Sequence, residues 1–276
     1  MTIARKLGPL VSSETAGRIR LEKGKRDTIR HAERVALIAQ YSTTPRQSRS
    51  LSIYARSLAD NGFLPIIIAV TEGREELKFP FGLPAETIIL RRPNLGYDFG
   101  SWATALGMFP EVRNKTCVLI TNDSMIGPFD SITPILRWIS EPGQPNIRAL
   151  TSSDQISHHL QSFFVCFRGG ILADRPWVDF FNGIRVQDDK DSVVMRYELG
   201  MSKLAFYEGY TMEEWVSGSE LGVPFGNPTV EGWQRLIESG VPFIKRTLLT
   251  HPATEQEGSE ARSFIKNRFG HEITEW

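Results

Sequence analysis

A chain of 276 residues with 41% hydrophobic and 10% aromatic side chains can bury a sizeable core, as one large domain or two small ones, which excludes a disordered or low-complexity polypeptide. Its 32 basic and 32 acidic residues cancel, so nothing global points to nucleic acid or to a strongly acidic partner, and any charge asymmetry must be local. No apolar run approaches the roughly 18 residues of a membrane span, and the first residues lack the apolar stretch of a signal peptide. The expected location is cytoplasmic, soluble or peripheral at the inner face of a membrane.

One local asymmetry opens the chain. Arg5, Lys6, Arg18, Arg20, Lys23, Lys25, Arg26, Arg30 and Arg34 stand against Glu14, Glu22, Asp27 and Glu33, nine charges against four. Residues 1–34 read as a basic helical extension with two uses left open. One is a solvated face; the other is contact with anionic lipid headgroups, where a basic residue contributes about 1 kcal/mol. From residue 35, short apolar runs separated by helical stretches mark a parallel-type sheet covered on both faces. Strands are expected at 35–42 (VALIAQYS), 64–70 (LPIIIAV), 86–92 (ETIILRR), 116–123 (TCVLITND), 147–153 and 160–168. Helices are expected over 44–62 with a stop at Gly62, over 101–109, 131–140 and 176–184, and over 191–210 with an interruption at Gly200. From Thr211 onward the pattern is weaker, with an apolar patch, GVPFIKRTLL, and a charged helix near the end. Cys117 and Cys166 lie inside apolar runs with no CxxC or His spacing and read as buried thiols of a reducing compartment. The expected organisation is one α/β domain over 35–250, with a basic extension at 1–34 and a C-terminal appendage at 251–276.

Open α/β sheets bind ligands outside the carboxyl ends of their strands. Polar clusters fall at four such ends: Tyr41-Ser42-Thr43-Thr44, Asn94 to Gly100, Asn122-Asp123-Ser124, and Thr151 to His159. In the second, Gly96 and Gly100 permit close backbone approach, and Asp98 either caps the following helix or accepts a sugar or ribose hydroxyl. That segment is not a GxGxxG, which weighs against hydride transfer. His158 and His159 point to opposite faces of an extended segment and cannot easily share a metal, whereas imidazoles beside Gln161 suit hydrogen bonding to a polyol. Glu198 is either a helix carboxylate paired with Arg196 or Lys203, or a general base tuned by burial toward working pH. No G-x-S-x-G elbow and no Walker loop are present.

Five segments in order, PNLGYDFGSW, ITNDSMIGPF, HHLQSFF, RYELGMSKLAFYEGY and NPTVEGWQRLIESGVPFIKRTLL, resemble the rhamnan synthesis protein F family of bacterial surface-polysaccharide glycosyltransferases, from about Val35 to Leu249. The resemblance implies a GT-A fold, a Rossmann-like mixed sheet flanked by helices. It implies that Tyr41 and Ser42 lie near the nucleobase, that Asn94, Gly96, Asp98 and Gly100 run along the nucleotide-sugar, and that Asn122, Asp123 and Ser124 occupy the place of a DxD motif. Asp123 is its one carboxylate, so Mg²⁺ or Mn²⁺ would be held mainly through diphosphate oxygens and water. Lys245 and Arg246 could neutralise the leaving diphosphate if the chain folds back, and His158, His159 and Gln161 would contact the acceptor or the sugar. Glu198 falls near the usual catalytic base. The implied reaction is an inverting single displacement from a nucleotide-sugar, dTDP-rhamnose by family, to a growing or lipid-linked glycan. Two rivals remain: a non-catalytic carbohydrate- or nucleotide-sugar-binding protein of the same fold, and a nucleotidyltransferase, which YSTTPRQSRS disfavours by lacking a glycine loop.

Overall fold

The computed structural model describes residues 7–73 and 75–276, so Arg5 and Lys6 of the basic segment lie outside the described residues. In chain order the elements are α1 (Val11–Thr15), β1 (Arg20–Lys23), α2 (Arg26–His31), β2 (Arg34–Ser42), α3 (Arg49–Asp60), β3 (Phe63–Thr71), β4 (Ile88–Arg91), α4 (Tyr97–Met108), β5 (Cys117–Asn122), β6 (Met125–Ile126) and α5 (Thr133–Ser140). There follow β7 (Ile147–Ser153), β8 (His159–Leu160), β9 (Phe164–Arg168), α6 (Arg175–Asn182), α7 (Lys190–Val193), α8 (Leu199–Tyr207), β10 (Met212–Ser217), α9 (Trp233–Glu238), β11 (Ile244–Lys245), α10 (Arg246–Thr250) and α11 (Glu255–Phe269).

The main sheet has nine strands in the order β1-β4-β3-β2-β5-β9-β7-β10, with β8 paired to β7. Strands β4, β3, β2 and β5 are mutually parallel, β10 is parallel to β7, and β1 and β9 run against their neighbours, so the sheet is mixed. Its central strands are apolar on both faces, as strands covered by helices on either side must be. Val35, Leu37 and Ala39 of β2 join one core cluster, with Trp102 of α4, Phe181 of α6 and Met201 of α8; Ala36 and Ile38 join the other, with Leu58 of α3 and Ile139 of α5. Both cysteines are buried and free.

After β2 the chain winds outward through β3 and β4, then returns to place β5 on the other side of β2. This reversal of winding direction opens a crevice between the carboxyl ends of β2 and β5, the place where open sheets bind ligands. The amide of Asp123 donates to the Ala39 carbonyl at 3.1 Å, which ties the two strand ends together.

The boundaries expected at 34 and 250 are crossed by packing. Val11 and Ile29 are fully buried in the first core, and β1 pairs with β4, so the described part of the basic segment is built into the sheet rather than extending from it. At the other end Ala261 and Ile265 of α11, with Trp276, pack with Ile126 and Phe129 as a third cluster. The helix expected from residue 44 begins at Arg49, where the Ser48 hydroxyl accepts the Leu51 amide at 3.2 Å. Gly200 does not interrupt the late helix; its irregularity is instead a π-helical turn at Val194–Glu198, which joins α7 to α8 and sets the direction of Glu198. No helix among the described residues is long and apolar enough to cross a membrane.

Candidate active site

The turn after β5 is built from its own side chains. Asn122 accepts at Oδ1 from the Ser124 amide at 3.1 Å and from the Ser124 hydroxyl at 2.6 Å, a local closure typical of Asx residues. Its amide nitrogen donates to Asp98 Oδ2 at 2.8 Å, joining the turn to the first turn of α4. Asp123 points the other way and accepts from the Tyr41 amide at 3.3 Å across the crevice. Strand β11 then pairs antiparallel with β6, Lys245 opposite Met125. The chain does fold back: the Arg246 amide donates to the Ser124 carbonyl at 2.8 Å and its guanidinium to the Asp123 carbonyl at 3.1 Å.

Two clefts meet at this turn. The larger, about 710 Å³, is lined by Gln40 to Thr44, Arg46 to Ser48, Phe81, Asp123, Arg246, Thr274 and Trp276. Tyr41 and Ser42 are therefore in it, and so is the end of the chain that was expected to form an appendage. The smaller, about 350 Å³, holds Asp98, Asn122, Ser124, His159, Gln161, Ser162, Lys190, Glu198, Asn227 and Lys245 among its lining residues. Asp123 and Arg246 thus face one cleft, and Asn122, Ser124 and Lys245 the other.

The carboxyl groups divide by environment. Burial pushes Asp98 up to about 6, opposed by the Asn122 hydrogen bond and by Lys190 and Lys245. Burial also pushes Asp123 up to about 7, against the pull of the Arg246 guanidinium. Glu198 goes the other way from the expected tuning. Burial would raise it, but His159 and Ser162 overcome that and hold it below its ordinary value. One of its oxygens accepts from both the amide (2.9 Å) and the hydroxyl of Ser162, and the other lies 3.6 Å from His159 Nε2. His159 is buried, which lowers its basicity, yet Glu198 and the Ser157 carbonyl outweigh this and raise its pKa. Lys245 is lowered by burial and by Lys190, in spite of Glu198 and Asp98.

Several expected residues have other occupations. Gly96 is the left-handed cap of α4 at φ 74°, and a Cβ there would lie 2.6 Å from Val11. A Cβ on Gly100 would lie 2.3 Å from the Leu95 carbonyl. Both glycines are thus required by packing. Asn94 is exposed and lines neither cleft. His158 is exposed and paired with Asp154 at 2.9 Å, so only His159 of the two turns into the smaller cleft. Gln161 is fixed by the Thr151 hydroxyl at 2.7 Å and reaches Asn227 at 3.4 Å. Asp98 is not a capping side chain, because α4 starts at Tyr97 and its carboxylate turns to Asn122 instead. Ser162, Lys190, Asn227 and Trp276 complete the walls and were not singled out in the sequence. Ser162 lay inside HHLQSFF and Asn227 opens NPTVEGWQRLIESGVPFIKRTLL, so motifs held two of the four.

The Asn122-Asp123-Ser124 turn fits a protein-held divalent cation poorly. Asn122 and Ser124 spend their oxygens on one another, and the single carboxylate sits beside a guanidinium. Among the described residues no three Asp, Glu, His or Cys side chains gather as a metal group.

With this geometry in view, the comparisons with known proteins decide the family. The family model for rhamnan synthesis protein F matches residues 71–272. The chain belongs to the rhamnan synthesis protein F family. The match begins later than the expected start at Val35 and runs on through α11, beyond Leu249. Two proteins of Vibrio anguillarum named virulence protein VirA are 26% identical over 198 residues, which cover 59% of this chain and 62% of theirs. An uncharacterised protein of Sinorhizobium fredii is 21% identical over 155 residues, 55% of this chain and 40% of its own. The chain thus spans less than two thirds of the length of these relatives. Among solved structures, a glycosyltransferase involved in the glycosylation of the major capsid of PBCV-1 is similar at a TM-score of 0.40 and 12% identity, covering 82% of this chain and 99% of that one.

Proposed function

We propose that this member of the rhamnan synthesis protein F family is a glycosyltransferase of GT-A type. In this reading it moves a sugar from a nucleotide-sugar to a hydroxyl of a growing or lipid-linked cell-surface glycan, by inverting single displacement. The observation that carries the reading is the meeting of two clefts at one strand-end turn, with Asp123 and Arg246 on one side and Asp98, Glu198 and Lys245 on the other. A diphosphate lying over that turn would have its nucleoside in the larger cleft and its sugar in the smaller. Family membership favours rhamnose, carried by dTDP, as the sugar.

Tyr41 and Ser42 would then contact the nucleoside. Lys245 and Arg246 would neutralise the leaving diphosphate from opposite faces of the turn, as preorganised cations do at developing charge. His159 and Gln161 would hold sugar or acceptor hydroxyls. For the proton we infer Asp98, not Glu198. The Glu198 oxygens are occupied by Ser162 and His159, whereas Asp98 lines the cleft with one oxygen held by Asn122 and a pKa nearer to working pH. The acceptor oxygen forms its bond to the anomeric carbon as its proton passes to Asp98. The bond from that carbon to the diphosphate oxygen breaks, and its electron pair leaves with the nucleoside diphosphate. Glu198 keeps the Ser162 turn and the His159 ring in place.

The test is a panel of nucleotide-sugars incubated with the purified chain, with and without Mg²⁺ or Mn²⁺, following nucleoside diphosphate release and thermal stabilisation. One preferred donor is expected, with release that persists in chelator. Stabilisation without release, in the presence of glycan acceptors, would favour a nucleotide-sugar-binding protein instead. Absence of stabilisation by every donor would remove both readings.

A further inference from the structure

A third cleft, about 480 Å³, opens beyond the carboxyl ends of β3 and β4, lined by Gly17, Arg18, Arg20, Thr71, Gly73, Arg91, Arg92 and Pro93. Four of those eight residues are arginines and none is acidic. Arg18 and Arg20 come from the basic N-terminal segment and are exposed; Arg91 and Arg92 come from the end of β4 and are 5% and 2% exposed. The pairing of β1 with β4, Arg20 opposite Arg91, brings the two sets together.

Their charge is only partly answered. Glu22 lies 2.9 Å from Arg91 and 3.8 Å from Arg20, one carboxylate for two guanidinium groups. Among the described residues, the Arg18 side chain reaches only the Glu14 carbonyl, at 3.4 Å. Arg92 has no carboxylate in ion-pair contact among the described residues; it donates to the Ser101 hydroxyl at 2.9 Å and to the carbonyls of Leu95 and Tyr97. Its Nε and the Thr71 hydroxyl are buried and find no hydrogen-bond partner among the described residues. A buried guanidinium is costly when its nearest answering charge, here Asp98, is not in ion-pair contact, and so is a buried polar group left unpaired. Both sit in the wall of the same cleft. Guanidinium groups gathered around one concave surface suit the oxygens of a phosphate better than those of any neutral group.

We propose that this cleft is a binding site for a phosphate-type anion, a phosphate monoester or a diphosphate, separate from the two clefts at the Asn122-Asp123-Ser124 turn. It does not depend on the glycosyltransferase reading. Such an anion would supply counter-charge to Arg18 and add to what Arg20 receives from Glu22 and Arg92 from Asp98. Because Arg92 also holds the Leu95 and Tyr97 carbonyls, the anion would brace the turn that leads to Asp98. The phosphate could be soluble or could belong to a lipid headgroup; the basic N-terminal segment then acts through Arg18 and Arg20 at one defined place rather than as a diffuse charged face.

The test uses the full chain with two probes: inorganic pyrophosphate followed by calorimetry, and phosphatidylcholine vesicles with or without phosphatidic acid followed by flotation. Three proteins are compared with wild type: the double variant Arg18→Ala/Arg20→Ala, on exposed positions; Arg92→Lys, which keeps the buried charge; and Arg246→Ala, which alters the other anion-facing residue. Expected is saturable binding of at least one probe that weakens tenfold or more in the double variant, and measurably in Arg92→Lys, while persisting in Arg246→Ala. Binding of pyrophosphate alone assigns a soluble ligand. Binding of phosphatidic acid vesicles that pyrophosphate displaces assigns a headgroup. No binding of either probe at low salt overturns the proposal, and so does binding that the double variant leaves unchanged. Loss in Arg246→Ala alone would place the anion at the donor cleft and would likewise overturn it, leaving the reading of that cleft intact.

Discussion

The two clefts that share the Asn122-Asp123-Ser124 turn are made of different material. The larger presents aromatic rings, hydroxyls and two arginines, Arg46 and Arg246, around one carboxyl group, Asp123. The smaller gathers Asp98, Asp191, Glu198, His159, Lys190 and Lys245 into about half the volume, 350 against 710 Å³. Rings and fixed cations hold a flat, anionic ligand without changing protonation; a crowd of groups that shift one another is what proton transfer needs. On the proposed reading, the difference puts binding and chemistry on opposite sides of one three-residue turn, so each side can be damaged separately.

The largest expected effect separates the sides through Asp98. Asp98→Asn should cut turnover by about 10²- to 10³-fold, the usual worth of a general base, while the donor dissociation constant changes by less than about threefold. In wild type the rate should rise with pH through a value near 6, where Asp98 loses its proton, and that limb should vanish in the variant. Glu198→Gln should cost less turnover and leave the limb in place. If instead the limb vanishes in Glu198→Gln and survives in Asp98→Asn, the proton goes to Glu198 and the division within the smaller cleft is wrong.

A smaller effect is expected from the larger cleft. Arg246→Ala removes a guanidinium from the wall of the proposed donor cleft and should weaken donor binding by about 10- to 100-fold, the worth of a charged hydrogen bond at about 1.5–3 kcal/mol. Turnover at saturating donor should fall less than the affinity does. A fall in turnover with donor affinity unchanged, read from full saturation curves, would mean that Arg246 acts only in the transition state and that the line between binding and chemistry is drawn in the wrong place.

The sequence carried this division only in part. The central strands could be read because a parallel strand covered on both faces is a continuous apolar run, and the strand-end rule then marked the polar clusters. Strand β10 was missed because MEEWVS carries acidic residues whose partners lie on β7, Arg148 for Glu213 and Ser152 for Glu214. The packing of the N-terminal segment was not legible because Val11 meets Gly96, which is far away in sequence. Within the site, residue types were legible and directions were not. The closure of the Asn122 oxygen on Ser124 is a local motif, but nothing local says that its nitrogen holds Asp98. Nothing local to Glu198 says that Ser162, on the turn between β8 and β9, will occupy it. Those bonds are made across long loops, and only the folded chain fixes them.

The smallest effect compares one carboxyl group from each side through stability. Asp123 has a folded pKa of about 7 against 3.8 unfolded, so between those values the native state binds more protons. The unfolding free energy must therefore fall as pH rises from about 4 to 7, and above that the cost of burying the ionised group is fully present. Glu198 has a lowered folded pKa, so it contributes stability above its ordinary 4.5 that is lost as pH falls through the folded value. Asp123→Asn should thus melt higher than wild type at pH 8, by on the order of 1 kcal/mol after allowance for the Tyr41 amide and Arg246, with no gain near pH 4. Glu198→Gln should melt lower at pH 8, because Ser162 and His159 lose their charged partner. Melting curves of both variants from pH 4 to 8 check the two signs. If Asp123→Asn is destabilised at pH 8, Arg246 neutralises the carboxylate fully, and the turn has a built-in ion pair in place of an anion-ready guanidinium.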